Sequence, residues 1–176
     1  MTPCHLRRRT VSGGLHPTRP AGRRREGSYV TASADHAAQR GPAERLGIQP
    51  GTVVQVVGGG DDVDQGLLED VSARAGTPLI TTDDSDDVVD VVLMWWREGD
   101  GDLVDALVDS LTNLGDNGVV WLLSPKAGRD GHVEPSDIEE AAPTAGLSST
   151  RSTSAAPEWS GTRLVAPKAA RGKTRR

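Results

Sequence analysis

The chain has 176 residues, 26% of them charged and 35% hydrophobic, with a net charge of −5; that length suits one domain with tails. No apolar run approaches the roughly 18 to 20 residues of a membrane-spanning helix. The single cysteine, Cys4, excludes an intrachain disulfide and a cysteine-based zinc site, and it fits the reducing cytoplasm expected as the location.

The charge is segregated. Residues 1–29 carry seven arginines and one acid, and residues 163–176 carry six basic residues and no acid. Between them, residues 30–162 hold 7 basic and 24 acidic residues, a net −17. Such a body repels a phosphate backbone, so a nucleic-acid partner is not expected for it. The basic residues are 17 Arg against 3 Lys, a bias that hints at a GC-rich bacterial genome.

Residues 1–39 read as an Arg/Gly/Pro-rich extension without hydrophobic period, and disorder is expected there. No apolar stretch resembles the core of a signal peptide, and the glycines and prolines break any amphipathic transit helix. Glu26-Gly27 would be encoded by purine-rich codons two codons ahead of Val30, and a GTG valine codon can start translation in bacteria. Translation from Val30, with the preceding text untranslated, is therefore a second expectation. The domain proper is placed at residues 40–168 and a basic disordered tail at 169–176.

Within the body, VVQVVGG at residues 53–59 is a β-branched run ending in glycines, the mark of a strand. Asp61 or Asp62 can cap a following helix whose apolar face is Val63, Leu67, Leu68, Val71 and Ala75, closed by Gly76 and Pro78. Pro78 to Thr81 is a short strand candidate, followed by the acidic link TDDSDD. Val88 to Trp96 is apolar on both faces apart from Asp90, as a covered parallel strand would be. Asp102 then caps a helix presenting Val104, Leu107, Val108, Leu111 and Leu114, and Gly115 closes it. VVWLLS after Asp116-Asn117-Gly118 is another buried strand. A short helix spans Pro135 to Ala142 with Ser136 as cap, and Ser148 to Ser154 and Thr162 to Val165 complete the pattern as an edge strand and a last strand.

This order predicts a compact three-layer α/β domain of Rossmann-like topology, its sheet mostly parallel with an antiparallel C-terminal edge hairpin. Ligands in such sheets bind beyond the carboxyl ends of the strands. The candidate crevice is therefore Gly58, Gly59 and Gly60 with Trp95 or Trp96. The structural alternative is a tight turn with carboxylate caps and two core tryptophans. Lys126, Arg129 and His132 form a basic cluster after a strand end, and an anion clamp, a general base or a surface loop all fit. His132 lacks ordered triad partners, so no catalytic residue is assigned. Glu98, Asp100 and Asp102 alternate in the manner of calcium ligands, but the later bidentate acid is absent and no metal site is expected.

LGIQPGTVVQVVGGG resembles the first motif of Rossmann-fold methyltransferases, and DNGVVWLL resembles a later strand of that superfamily. The resemblance implies S-adenosylmethionine at the glycine loop. Two departures weigh against it: Val56 stands where that motif carries an acid, and Asp62 where it carries its third glycine. A dinucleotide fingerprint is served no better, since Gly58 and Gly60 lack the next glycine. More specifically, the runs from Trp95 to Lys126 and from Trp159 to Lys168 resemble the actinobacterial domain-of-unknown-function family 3052, over about residues 33 to 170. That resemblance implies a cytoplasmic bacterial protein with regular text from near Val30, but neither activity nor cofactor. The expected function is a non-catalytic binding or regulatory module whose partner is an unknown protein or small molecule. The alternative is a small S-adenosylmethionine- or nucleotide-binding enzyme.

Overall fold

The computed structural model describes residues 40–81 and 86–166. The expectations for residues 1–39, for a start at Val30, for the basic tail and for most of the acidic link lie outside them. The elements are α1 (Pro42–Arg45), β1 (Val54–Val57), α2 (Gln65–Ala75), β2 (Val89–Trp95), α3 (Leu103–Ser110), β3 (Leu114–Pro125), α4 (Pro135–Thr144), β4 (Ser148–Ser154) and β5 (Trp159–Val165). The sheet order is β1-β2-β3-β5-β4. The pairs β1–β2 and β2–β3 are parallel, and β5 lies antiparallel between β3 and β4. This is the Rossmann-like α/β architecture with an antiparallel hairpin at one edge.

The strand sequences explain why both faces are covered. Successive residues of β2 alternate between two cores, as a period of two requires. Val91, Leu93 and Trp95 join Trp121, Leu123 and the α2 residues Leu67, Val71 and Ala75 on one face. Val92 and Met94 join Val120, Leu122, Leu107 of α3 and Ile138, Ala141 and Ala142 of α4 on the other. The α1 region adds Ala43, Leu46 and Ile48 to the first core. Trp121 ties it down by donating its indole N–H to the Leu46 carbonyl at 2.9 Å.

Several local expectations shift. The cap of α2 is Asp64, which accepts from the Leu67 amide at 2.7 Å, rather than Asp61 or Asp62. Gly76 closes α2 in the left-handed conformation as expected. Asp102 caps α3 through the Val104 and Asp105 amides, but the helix stops at Ser110, leaving Val108 half-exposed and Leu114 in β3. Pairing of β2 with β3 slips between Val89 and Val91, so residues 115–118 bulge instead of forming a separate turn. Pro135 opens α4 with Glu134 ahead of it, so Ser136 is not the cap. Pro78 to Thr81 contributes one parallel bridge, Gln55 to Ile80, and β5 begins three residues before Thr162. Helix α1 went unread because one turn shows no period.

Candidate functional site

Chain direction defines where a ligand would enter. From β1 the chain crosses through α2 on one face to Ile80, which pairs on the outer side of β1. From β2 it crosses through α3 on the other face to β3. The connections diverge between β1 and β2, and the crevice beyond their carboxyl ends is the topological switch point at which open α/β sheets bind ligands.

Gly58 turns the chain out of β1 with φ +70, and a Cβ there would collide with the Trp95 carbonyl oxygen. Glycine is needed for both reasons. At Gly59 an added Cβ meets nothing within 4 Å. At Gly60 it would lie 3.1 Å from Asp62 Oδ1 and 3.4 Å from Arg97 Nη2, so the loop folds back onto an ion pair.

That ion pair fills the switch point. Arg97, two residues beyond the end of β2, reaches across to β1: its Nη1 donates to the Gly58 carbonyl at 3.2 Å and its Nε to Asp62 Oδ2 at 2.8 Å. The second guanidinium nitrogen, Nη2, also bonds Asp62, making the pair bidentate. Asp100 accepts from the Arg97 amide at 2.9 Å, and the guanidinium lies 5.1 Å from the centre of the Trp159 ring. Only 19% of the Arg97 side chain is exposed, against 57% for Asp62. The hydrogen bonds from Arg97 hold the Asp62 carboxyl below its ordinary value, and Asp62 in turn raises Arg97.

The two candidate tryptophans part company. Trp95 is fully buried and meets Trp159 edge to face, ring centres 4.7 Å apart at 89°. Trp96 packs partly buried against the opposite core. Beside the ion pair a polar cavity of about 630 Å³ opens between Asp62–Gln65, Gly128–Asp130 and the hairpin residues Glu158 and Trp159. Trp159, not Trp95 or Trp96, is the aromatic in its wall.

Lys126, Arg129 and His132 are each held by different partners. Lys126 donates to Ser154 Oγ and the Pro157 carbonyl, and Arg129 pairs with Glu158. His132 Nδ1 donates to the Pro125 carbonyl at 2.8 Å, with Nε2 3.8 Å from Glu134. Glu98, Asp100 and Asp102 do not converge: Asp100 serves Arg97 and Asp102 caps α3. Sequence reasoning missed Arg97 and Trp159. The available signal was a lone arginine directly after the apolar run of β2, in a body with few cations.

The model of the family described as Protein of unknown function (DUF3052) matches residues 43–168. The chain belongs to this family. Members similar to it include uncharacterised proteins of Mycobacterium tuberculosis (strain H37Rv) and Mycobacterium bovis, each 45% identical over 148 residues, covering 84% of this chain and 91% of theirs. The DUF3052 domain is similar in fold to a SAM-dependent methyltransferase from Aquifex aeolicus, with a TM-score of 0.53 at 13% identity, covering 72% of this chain and 89% of that one. It is similar also to the O-methyltransferase NcsB1 of neocarzinostatin biosynthesis, with a TM-score of 0.52 at 16% identity, covering 76% and 53%. Among the described residues no helix is long and apolar enough to cross a membrane.

Proposed function

We propose that this DUF3052 chain is a non-catalytic binding or regulatory module on a methyltransferase-like fold. The observation that carries the reading is Arg97, whose guanidinium spans the switch point from Gly58 to Asp62. A cofactor entering there must break a bidentate ion pair, a backbone hydrogen bond and a cation–π contact before gaining any contact of its own. Val56 in place of the motif's acid and Asp62 in place of its third glycine weaken the same site further. The body's acidic charge directs the module toward a protein or small-molecule partner rather than nucleic acid.

A second reading, a small S-adenosylmethionine- or nucleotide-binding enzyme, is favoured by the cavity of about 630 Å³ beside the glycine loop. A thermal-shift panel of S-adenosylmethionine, S-adenosylhomocysteine and ATP separates the two. At a hundredfold excess over Kd a bound ligand stabilises by about 2.7 kcal/mol. The expected result is no shift with any of the three. A clear shift that disappears in Gly59→Val would overturn the non-catalytic reading, because a side chain at that position has room in the folded chain.

A further inference from the structure

At the edge of the sheet opposite β1, arginines gather in an otherwise acidic body. Arg151 of β4 and Arg163 of β5 are directly paired across the strands. Like charges in that position repel and destabilise a sheet. Among the described residues neither has a carboxylate within ion-pairing distance, and nor has Arg45. Instead Arg151 lies 5.5 Å from the centre of the Trp121 ring and donates to the Arg45 carbonyl at 2.9 Å, while Arg163 reaches only Thr150 Oγ1 at 3.3 Å. The Arg45 Nε is buried without an acceptor. A donor left in that state costs free energy.

These guanidinium groups border open space. A cavity of about 400 Å³ has Val91 and Val119 as its floor and Leu46, Thr150, Arg151 and Arg163 around it. A second, of about 230 Å³, shares Arg151 and is lined by Arg40, Glu44, Arg45, Ser152 and Thr153. Arg40 is the one member with an acid, Glu44 at 3.7 Å. We infer that this arginine pocket binds a phosphate group, either as free phosphate or as a small phosphate monoester. Planar guanidinium forks match tetrahedral oxyanions two bonds at a time, and a dianion between Arg151 and Arg163 turns their repulsion into shared attraction. The apolar floor suits the carbon part of a monoester.

The test is equilibrium dialysis and thermal shift on the full chain, with inorganic phosphate and glycerol phosphate as probes and sodium chloride at matched ionic strength as reference. One saturable site per chain is expected, with a rise in Tm of roughly 5 °C or more at a hundredfold excess over Kd. Tighter binding of glycerol phosphate identifies a monoester site, and tighter binding of inorganic phosphate a site for the free anion. Arg163→Gln and, independently, Arg151→Gln remove the response. Arg163→Gln also keeps or raises the Tm measured without phosphate, because it relieves the like-charge pair. No saturable binding, or an equal Tm rise in the wild type and in whichever variant folds, overturns the proposal. The second result would mean general salting by a surface-excluded ion.

Discussion

A methyl group distinguishes the three glycines of the first loop. At Gly58 it would drive into the Trp95 carbonyl while the backbone holds φ +70, so two penalties act together. The left-handed conformation costs a residue with a Cβ about 1–2 kcal/mol, and overpacking against backbone adds a similar amount. Gly58→Ala should therefore lower stability by about 2–4 kcal/mol in urea denaturation. Gly59→Ala should stay within about 0.5 kcal/mol of wild type, since its Cβ meets open space. Equal effects at the two positions would mean that the loop does not approach β2 as described. The contrast also shows what the triplet GGG conceals. The sequence marks the turn, but which glycine is obligatory depends on a strand nearly forty residues away.

Elements were legible where their period was strong and blurred where a carboxylate had competitors. Five aspartates lie near the two helix starts, and chemistry alone ranks them equally. Asp102 was read correctly as the cap of α3, but α2 begins one residue after Asp64, with Asp61 left exposed. The reason is tertiary: Asp62 is drawn to Arg97, so the chain continues past it before turning helical. Removing the capping carboxylate in Asp64→Ala should cost about 1 kcal/mol, and Asp61→Ala should be neutral, both measured by chemical denaturation. A larger loss at Asp61 would return the cap to the position first expected. Likewise β2 was readable from its apolar text, whereas α1 was not, and the strand expected at Pro78 to Thr81 shrinks to a lone bridge at Ile80. They owe their form to packing on Trp121 and pairing with β1 rather than to local pattern.

At the scale of the whole molecule, the Rossmann-like topology followed from the alternation of strands and helices, and a crevice beyond the strands' carboxyl ends followed from the topology. What occupies that crevice was not legible, because Arg97 and Asp62 come from two separate loops and Trp159 from the start of β5, and they meet only in the folded chain. Their meeting leaves a mark on the dependence of stability on pH. Asp62 is held below its ordinary value of 3.8 by hydrogen bonds from Arg97, so near that pH the folded chain binds fewer protons there than the unfolded chain. The stability it contributes is present above 3.8 and is lost as the pH falls through the lower folded value. Asp62 raises Arg97 above its ordinary value, so it stays charged throughout the acid range. The pair is partly solvent-exposed, so Arg97→Ala should cost only about 1 kcal/mol at neutral pH, the cation–π contact with Trp159 included. Part of that cost comes from the carboxylate and should vanish on acidification. Urea titrations of wild type and Arg97→Ala should run parallel from pH 8 to about pH 5 and draw closer below about pH 4. The wild type should lose stability faster on the acid side, since the variant no longer has a depressed carboxyl to protonate. A gap that stays constant down to pH 3 would mean that Arg97 holds the crevice through Gly58 and Trp159 alone, with Asp62 a bystander.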